Sequence, residues 1–165
     1  MYNIEKYISE CLESFIVQEI IGDIEVLIID DGSKDGSSAI AAEYERLYPQ
    51  LFRIIKKQNG GHGSTINRGI EEATGKYFKV VDGDDWVAKE AFVKLVKTLK
   101  KTDADLILSN YHWVDYKTGD TKAEVDELCP QIQYEKIYLA GEVLNKTFLK
   151  MHAMTYRTSI LQNMG

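Results

Sequence analysis

Apolar positions recur at helical spacing through residues 4–20, where Ile4, Tyr7, Ile8, Cys11, Leu12, Phe15 and Ile16 share one stripe. That period predicts an amphipathic helix, with Asn3 suited to cap its start. The pattern then tightens. Ile24-Glu25-Val26-Leu27-Ile28-Ile29 is a short, mostly apolar run of the kind buried in parallel sheets, and it stops at Asp30-Asp31-Gly32-Ser33. A second helix is expected from Asp35 or Ser37, with Ile40, Tyr44 and Leu47 on one face. Residues 52–55 read as the next strand, followed by Asn59-Gly60-Gly61-His62-Gly63. Ser64 is placed to cap a helix running to Ala73, and Gly75 to stop it. Residues 77–81 form a further strand that ends at Asp82-Gly83-Asp84-Asp85-Trp86. A helix over about 88–101 would bury Phe92, Leu95, Val96 and Leu99 and turn its lysines to water; residues 105–109 are another strand.

Strands alternating with helical stretches every 20 to 30 residues argue for βα repeats. The predicted fold class is therefore α/β, a doubly wound, mainly parallel sheet flanked by helices. Beyond Asn110 the rhythm changes. Residues 111–116 look extended, Lys117-Thr118-Gly119-Asp120 is a turn able to reverse them, and 126–140 carry no periodicity. A short helix over 141–149 and a strand over 153–156 follow.

With 165 residues the chain is expected to form one domain, and 44% apolar with 28% charged residues is an ordinary globular balance. A formal charge of −6 argues against a nucleic-acid partner, which needs a basic surface. No run approaches a membrane span and no signal peptide opens the chain, so a cytoplasmic location is expected. Cys11 and Cys129 lack metal-ligand spacing, and Cys11 falls on the helical stripe as a reduced, buried thiol.

In open parallel sheets, ligands bind outside the carboxyl ends of the strands. Three loops leave such ends here: residues 30–33, 59–63 and 82–86. Asp82, Asp84 and Asp85 crowd one turn, where Gly83 permits a sharp bend. Such carboxylates repel unless a hard cation sits among them, and Mg²⁺ or Mn²⁺ is the usual one. A solvated acidic turn is the bland alternative. Asp31 is able to accept from an imide N–H such as that of uracil, whereas Asp30 is better suited to capping the next helix. Gly60, Gly61 and Gly63 match neither the dinucleotide fingerprint nor a P-loop, so backbone freedom at a helix start is the safer reading. His62 reads as solvent-facing, and His112 beside Trp113 carries no signal of its own.

Taken together, Tyr2-Asn3, Ile28-Ile29-Asp30-Asp31-Gly32-Ser33, Asn59-Gly60-Gly61 with Asn67-Arg68-Gly69, Gly75-Lys76-Tyr77 and Asp82-Gly83-Asp84-Asp85-Trp86 resemble glycosyltransferase family 2. The resemblance spans residues 2–109 in order and spacing. It implies a GT-A fold with a nucleotide-sugar-binding part over 2–109 and the start of an acceptor-side part over 110–165. It further implies an inverting sugar transfer, most simply from a UDP-sugar, and a divalent cofactor, Mn or Mg. Asp31 then resembles the aspartate that reads uracil. Asp84 and Asp85 resemble the pair that meets ribose, diphosphate and metal, and Asp82 opens the metal motif. Tyr2, Asn3, Asp30, Asn59, Gly60, Gly61, Asn67 and Gly83 complete the implied donor site. His152-Ala153-Met154-Thr155-Tyr156-Arg157 resembles the segment that returns toward the acceptor.

Two departures from the family pattern set further expectations. Family members place a buried strand before the Tyr-Asn pair, and a chain without it is expected to recruit a second copy or lose stability. They also carry a downstream carboxylate as general base, which is expected to lie beyond Gly165. Asp115, Asp120, Glu124, Asp126 and Glu127 are candidates by residue type alone. Missing or partner segments would account for peripheral attachment at the inner face of a membrane. The resemblance leaves the acceptor open among saccharide, lipid-linked and protein classes. Two other readings compete: a nucleotide-sugar-binding fragment without turnover, and a phosphoacceptor domain using the same acidic strand ends. The latter needs a lysine at a later strand end, where Ser109-Asn110 stand instead.

Overall fold

A computed structural model describes residues 1–115, 117–123, 133, 136–143 and 150–164. Its first unit is a βαβ crossover. Strands β1 (Val26–Asp30) and β2 (Phe52–Lys56) pair in parallel, from Val26 opposite Phe52 to Asp30 opposite Lys56. Helix α2 (Ser37–Leu47) joins them, and α1 (Ile8–Phe15) packs against α2. Ile8, Cys11, Leu12, Phe15, Ile28, Ala41, Leu51 and Phe52 form the buried core. Burying such side chains stabilises a fold by about 1.5–3 kcal/mol each. Cys11 is a free thiol, and burial pushes its pKa up to about 12.

Helix α1 is shorter than the apolar stripe of residues 4–20 because its flanks bond elsewhere. Asn3 takes a φ of 51°, and its Oδ1 accepts from the Lys34 N–H at 2.8 Å instead of capping α1. The N–H groups of Ile4 and Glu5 donate to Ser37 Oγ and Asp35 Oδ2. The N-terminal segment is thereby clamped to the loop after β1. Leu47, expected on the inner face of α2, is exposed at 52%, and Tyr48 packs on Phe52 in its place.

Helix α3 (His62–Glu72) starts before Ser64. Gly61, at φ 81°, turns the chain, and its carbonyl accepts from the N–H groups of Ser64 and Thr65. The Ser64 hydroxyl donates to that same carbonyl, so it does not act as the cap. The end of α3 is pinned by Glu25, whose Oε1 accepts from Thr74 N, Thr74 Oγ1 and Gly75 N. Gly69 lets α3 approach the sheet, since a Cβ there would lie 3.3 Å from the Phe78 ring.

Strands β3 (Tyr77–Phe78) and β4 (Leu106–Leu108) do not pair with each other. Between them runs β7 (Met154–Arg157), antiparallel to both. This three-stranded sheet is antiparallel at both pairings and distinct from the parallel β1–β2 pair, with β3 and β4 pointing the same way. β3 is shorter than the expected 77–81, and Lys79 instead reaches β7 through its side chain. Helix α4 (Lys89–Leu99) buries Val96 fully, and Phe15 meets Phe92 edge-on at 5.5 Å. The expected reversal at 117–120 is a hairpin between β5 (His112–Val114) and β6 (Thr121–Ala123), with Gly119 at φ 72°. Helix α5 (Ala140–Val143) is the described part of the helix expected over 141–149, and α6 (Thr158–Gln162) follows β7. Glu124, Asp126, Glu127 and Cys129 lie outside the described residues.

Candidate functional site

The carboxyl end of β1 carries two buried carboxylates with different jobs. Asp30 Oδ1 accepts from the Ser33 N–H at 2.9 Å, the local turn its residue type favours. Burial pushes its pKa up, but hydrogen bonds from Ser33 and Ser38 and the nearby Met1 ammonium hold it below the usual range. Asp31 reaches across to the second loop. Its Oδ1 accepts from Lys57 Nζ at 2.6 Å and the Gly60 N–H at 2.9 Å, and its Oδ2 from the Gly61 N–H at 2.8 Å. Lys57, then the Gly60 and Gly61 amides, hold this carboxyl low. The Lys57 ammonium also donates to Gln58 O and Ser64 Oγ, which uses its three protons. A carboxylate offers about four acceptor positions, so three donors leave Asp31 about one to spare.

The acidic loop meets this cradle through His62. His62 Nε2 lies 3.0 Å from Asp82 Oδ1, directly after the Gly60-Gly61 amides that hold Asp31. On the other side, His152 Nδ1 lies 4.0 Å from Asp82 Oδ2 and 3.7 Å from Asp85 Oδ2. Asp82, Asp85 and His152 each offer a ligand atom within 4.8 Å of the others, a spacing that fits one divalent ion. Two carboxylate oxygens and an imidazole suit Mn²⁺ better than Mg²⁺, which prefers oxygen. Burial, the Asp84 charge and to a lesser degree Asp82 push the Asp85 carboxyl up, with His152 opposing them. The backbone of Gly83 sits so close to the N-terminal segment that a Cβ there would fall 2.2 Å from Ile4 Cδ1.

His152 is held from below. It stands on a 3₁₀ turn (Met151–Ala153) ahead of β7, and its carbonyl accepts from Lys79 Nζ at 2.6 Å. Burial lowers the Lys79 amine to about 8 from its ordinary 10.5. The folded chain sheds this proton first, so between those values the unfolded chain binds more protons and stability rises with pH. Urea melts from pH 8 to 10 should show that rise in the wild-type chain and a smaller one in Lys79→Met. Equal slopes would contradict it.

The other residues singled out from sequence fall at varying distances from this centre. Tyr2 is 44% exposed, and Asn3 is engaged with Lys34. Asn59 is exposed beside Gly32, whose Cβ would meet the Asn59 amide nitrogen at 3.4 Å. Asp84 is exposed and stands outside the Asp82-Asp85-His152 group. Asn67 is exposed on α3, about 140° around the helix from His62. Asp115 shapes the hairpin turn by accepting from Lys117 N and Thr118 N, and Asp120 closes it by accepting from Asp115 N. His62 is exposed as expected, yet it touches Asp82. Lys57, Lys79 and His152 carry roles that the sequence reading missed. Only Lys57, at the end of an apolar strand facing a loop of aspartates, left a signal there.

The sequence profile of "Glycosyl transferase family 2" matches residues 1–165. Bacillus subtilis (strain 168) EpsJ, described as an uncharacterized glycosyltransferase, is 36% identical over 143 residues, covering 87% of this chain and 39% of EpsJ. Among solved structures, S. aureus TarS in complex with UDP-GlcNAc superposes with a TM-score of 0.71 at 24% identity, over 99% of this chain and 45% of that one. The mannosyltransferase PcManGT from Pyrobaculum calidifontis, in complex with GDP-Man and Mn²⁺, gives 0.67 at 18% identity, over 100% and 44%. The chain spans less than half the length of the first curated relatives it matches.

Proposed function

The chain belongs to glycosyltransferase family 2, and from that premise we propose that its three-loop centre binds a nucleotide-sugar donor of the uridine class for metal-dependent, inverting transfer. One observation carries the reading. The Gly60 and Gly61 amides hold Asp31 while the adjoining His62 touches Asp82, so the three strand-end loops form one continuous surface. The base end lies at Asp31, with Tyr2, Asn3, Asp30 and Asn59 around it. The diphosphate end lies at Asp82, Gly83 and Asp84. Asn67, assigned to the donor site by family resemblance, would act through the run of α3.

Asp82, Asp85 and His152 would hold the divalent cation, with Asp84 facing ribose and diphosphate. A divalent ion held there would supply charge neutralisation for a departing nucleoside diphosphate. The chain's own groups orient the donor: the spare acceptor position on Asp31 selects an imide N–H, which uracil offers and adenine does not. A carboxylate outside residues 1–165 would serve as general base, consistent with the span of the relatives. Mn²⁺ in PcManGT and UDP-GlcNAc in TarS support the same ligand classes here.

Calorimetry with UDP tests this directly. Binding should be strong with Mn²⁺, weak with EDTA, and not competed by ADP. Equal UDP affinity with and without metal would remove the metal assignment, and effective competition by ADP would remove the role given to Asp31.

A further inference from the structure

Beyond His152 the site continues into an aromatic surface that the donor reading leaves unused. Trp113 on β5 is 51% exposed and stands outside the core cluster. Its ring meets Tyr111 edge-on at 6.3 Å, and the two rings lie 6.5 and 5.6 Å from the His152 imidazole. Lys150 Nζ sits 5.5 Å from the Trp113 ring and 5.6 Å from the Tyr111 ring. That imidazole is the one 3.7 Å from Asp85. Successive neighbours therefore link Asp31 through Gly61, His62, Asp82 and His152 to Trp113. With the base at one end and the diphosphate in the middle, the far end is where the transferred sugar meets its acceptor.

We propose that Trp113, flanked by Tyr111 and Lys150, is a stacking platform for a pyranose ring next to the metal-binding carboxylates. The proposal rests on the donor-site reading for its orientation. A pyranose has a face of C–H bonds and a rim of hydroxyls. A half-exposed indole suits the face, and the Lys150 ammonium that lies over the same ring suits the rim. A nucleobase would stack as well, but Asp31, the carboxylate given the imide-reading role, stands at the other end of this series of neighbours. The pyranose belongs either to the donor or to the acceptor terminus, and the chemistry is the same for both.

The test compares the wild-type chain, Trp113→Ala and Trp113→Phe by calorimetry with Mn²⁺ present. The probes are UDP, UDP-glucose, UDP-galactose and UDP-N-acetylglucosamine, then the methyl glycosides of the same three sugars. Trp113→Ala should weaken at least one sugar-bearing probe about three- to tenfold. It should leave UDP alone within about twofold, and Trp113→Phe should restore most of the loss. Loss confined to UDP-sugars assigns the platform to the donor, and loss confined to methyl glycosides assigns it to the acceptor. In a Trp86→Phe background Trp113 is the only tryptophan, so saccharide quenching of its fluorescence reports contact without reference to UDP. If UDP fails to bind, the donor reading falls while the glycoside arm still judges the platform. Identical affinities in all three proteins, with no quenching, would overturn it.

Discussion

In Asp85→Asn the metal-free protein should melt above the wild-type chain at neutral pH, and Mn²⁺ should no longer raise it. Asp85 sits beside Asp84 and Asp82, with His152 opposing their charge among the described residues, and its carboxyl is pushed above the usual range. A raised carboxyl binds protons more tightly in the folded chain than in the unfolded one. Stability is therefore lost as pH climbs from the ordinary carboxylate range through the raised one. A neutral amide removes that repulsion. The same change removes a ligand atom from the Asp82-Asp85-His152 group. In the wild-type chain, Mn²⁺ at 100 times its dissociation constant should add about 2.7 kcal/mol by mass action. Thermal melts with EDTA and with Mn²⁺, at pH 7 and in acid, check both halves. The metal-free advantage of the variant should shrink in acid, where the wild-type carboxyl is itself protonated. A full Mn²⁺ gain in Asp85→Asn would remove this residue from the metal site.

Asp31→Ala should abolish UDP binding and lower the thermal midpoint, and a second substitution separates the two effects. Removing the carboxylate strands the Lys57 ammonium and the Gly60 and Gly61 amides in a half-buried cradle. Taking away Lys57 as well, in Asp31→Ala/Lys57→Met, removes the stranded charge and should recover much of the lost stability. It should not recover UDP binding, because the acceptor for the imide N–H is still missing. Recovery of UDP affinity along with stability would mean that Asp31 only braces the loop.

Much of this centre was legible in sequence because its signals are local. Apolar runs ending in Asp30-Asp31-Gly32, Asn59-Gly60-Gly61 and Asp82-Gly83-Asp84 mark strand ends, and in an α/β sheet strand ends gather at one edge. The hairpin at Gly119 was legible for the same reason. His152 was not. It is a lone histidine, and what brings it to Asp82 is the antiparallel entry of β7 between β3 and β4. A four-residue strand such as Met154-Thr155-Tyr156-Arg157 carries no mark of its direction or its neighbours. Asn3 misled for a related reason. Its side chain suits a helix cap, but the backbone at φ 51° aims it at Lys34 on another loop.

The placement of β7 also fixes when the site comes into being. During synthesis β3 and β4 leave the ribosome with facing edges unpaired, because the strand that joins them is made last of the three. From Asp85 to Arg157 the ribosome needs roughly four to fourteen seconds at typical elongation rates. Through that interval the nascent chain already carries the residues of the βαβ half and Asp31, while the acidic loop still awaits His152. Two open strand edges at that stage invite pairing with other chains. The interval before β7 docks is therefore the one in which a chaperone would most affect the yield of native protein.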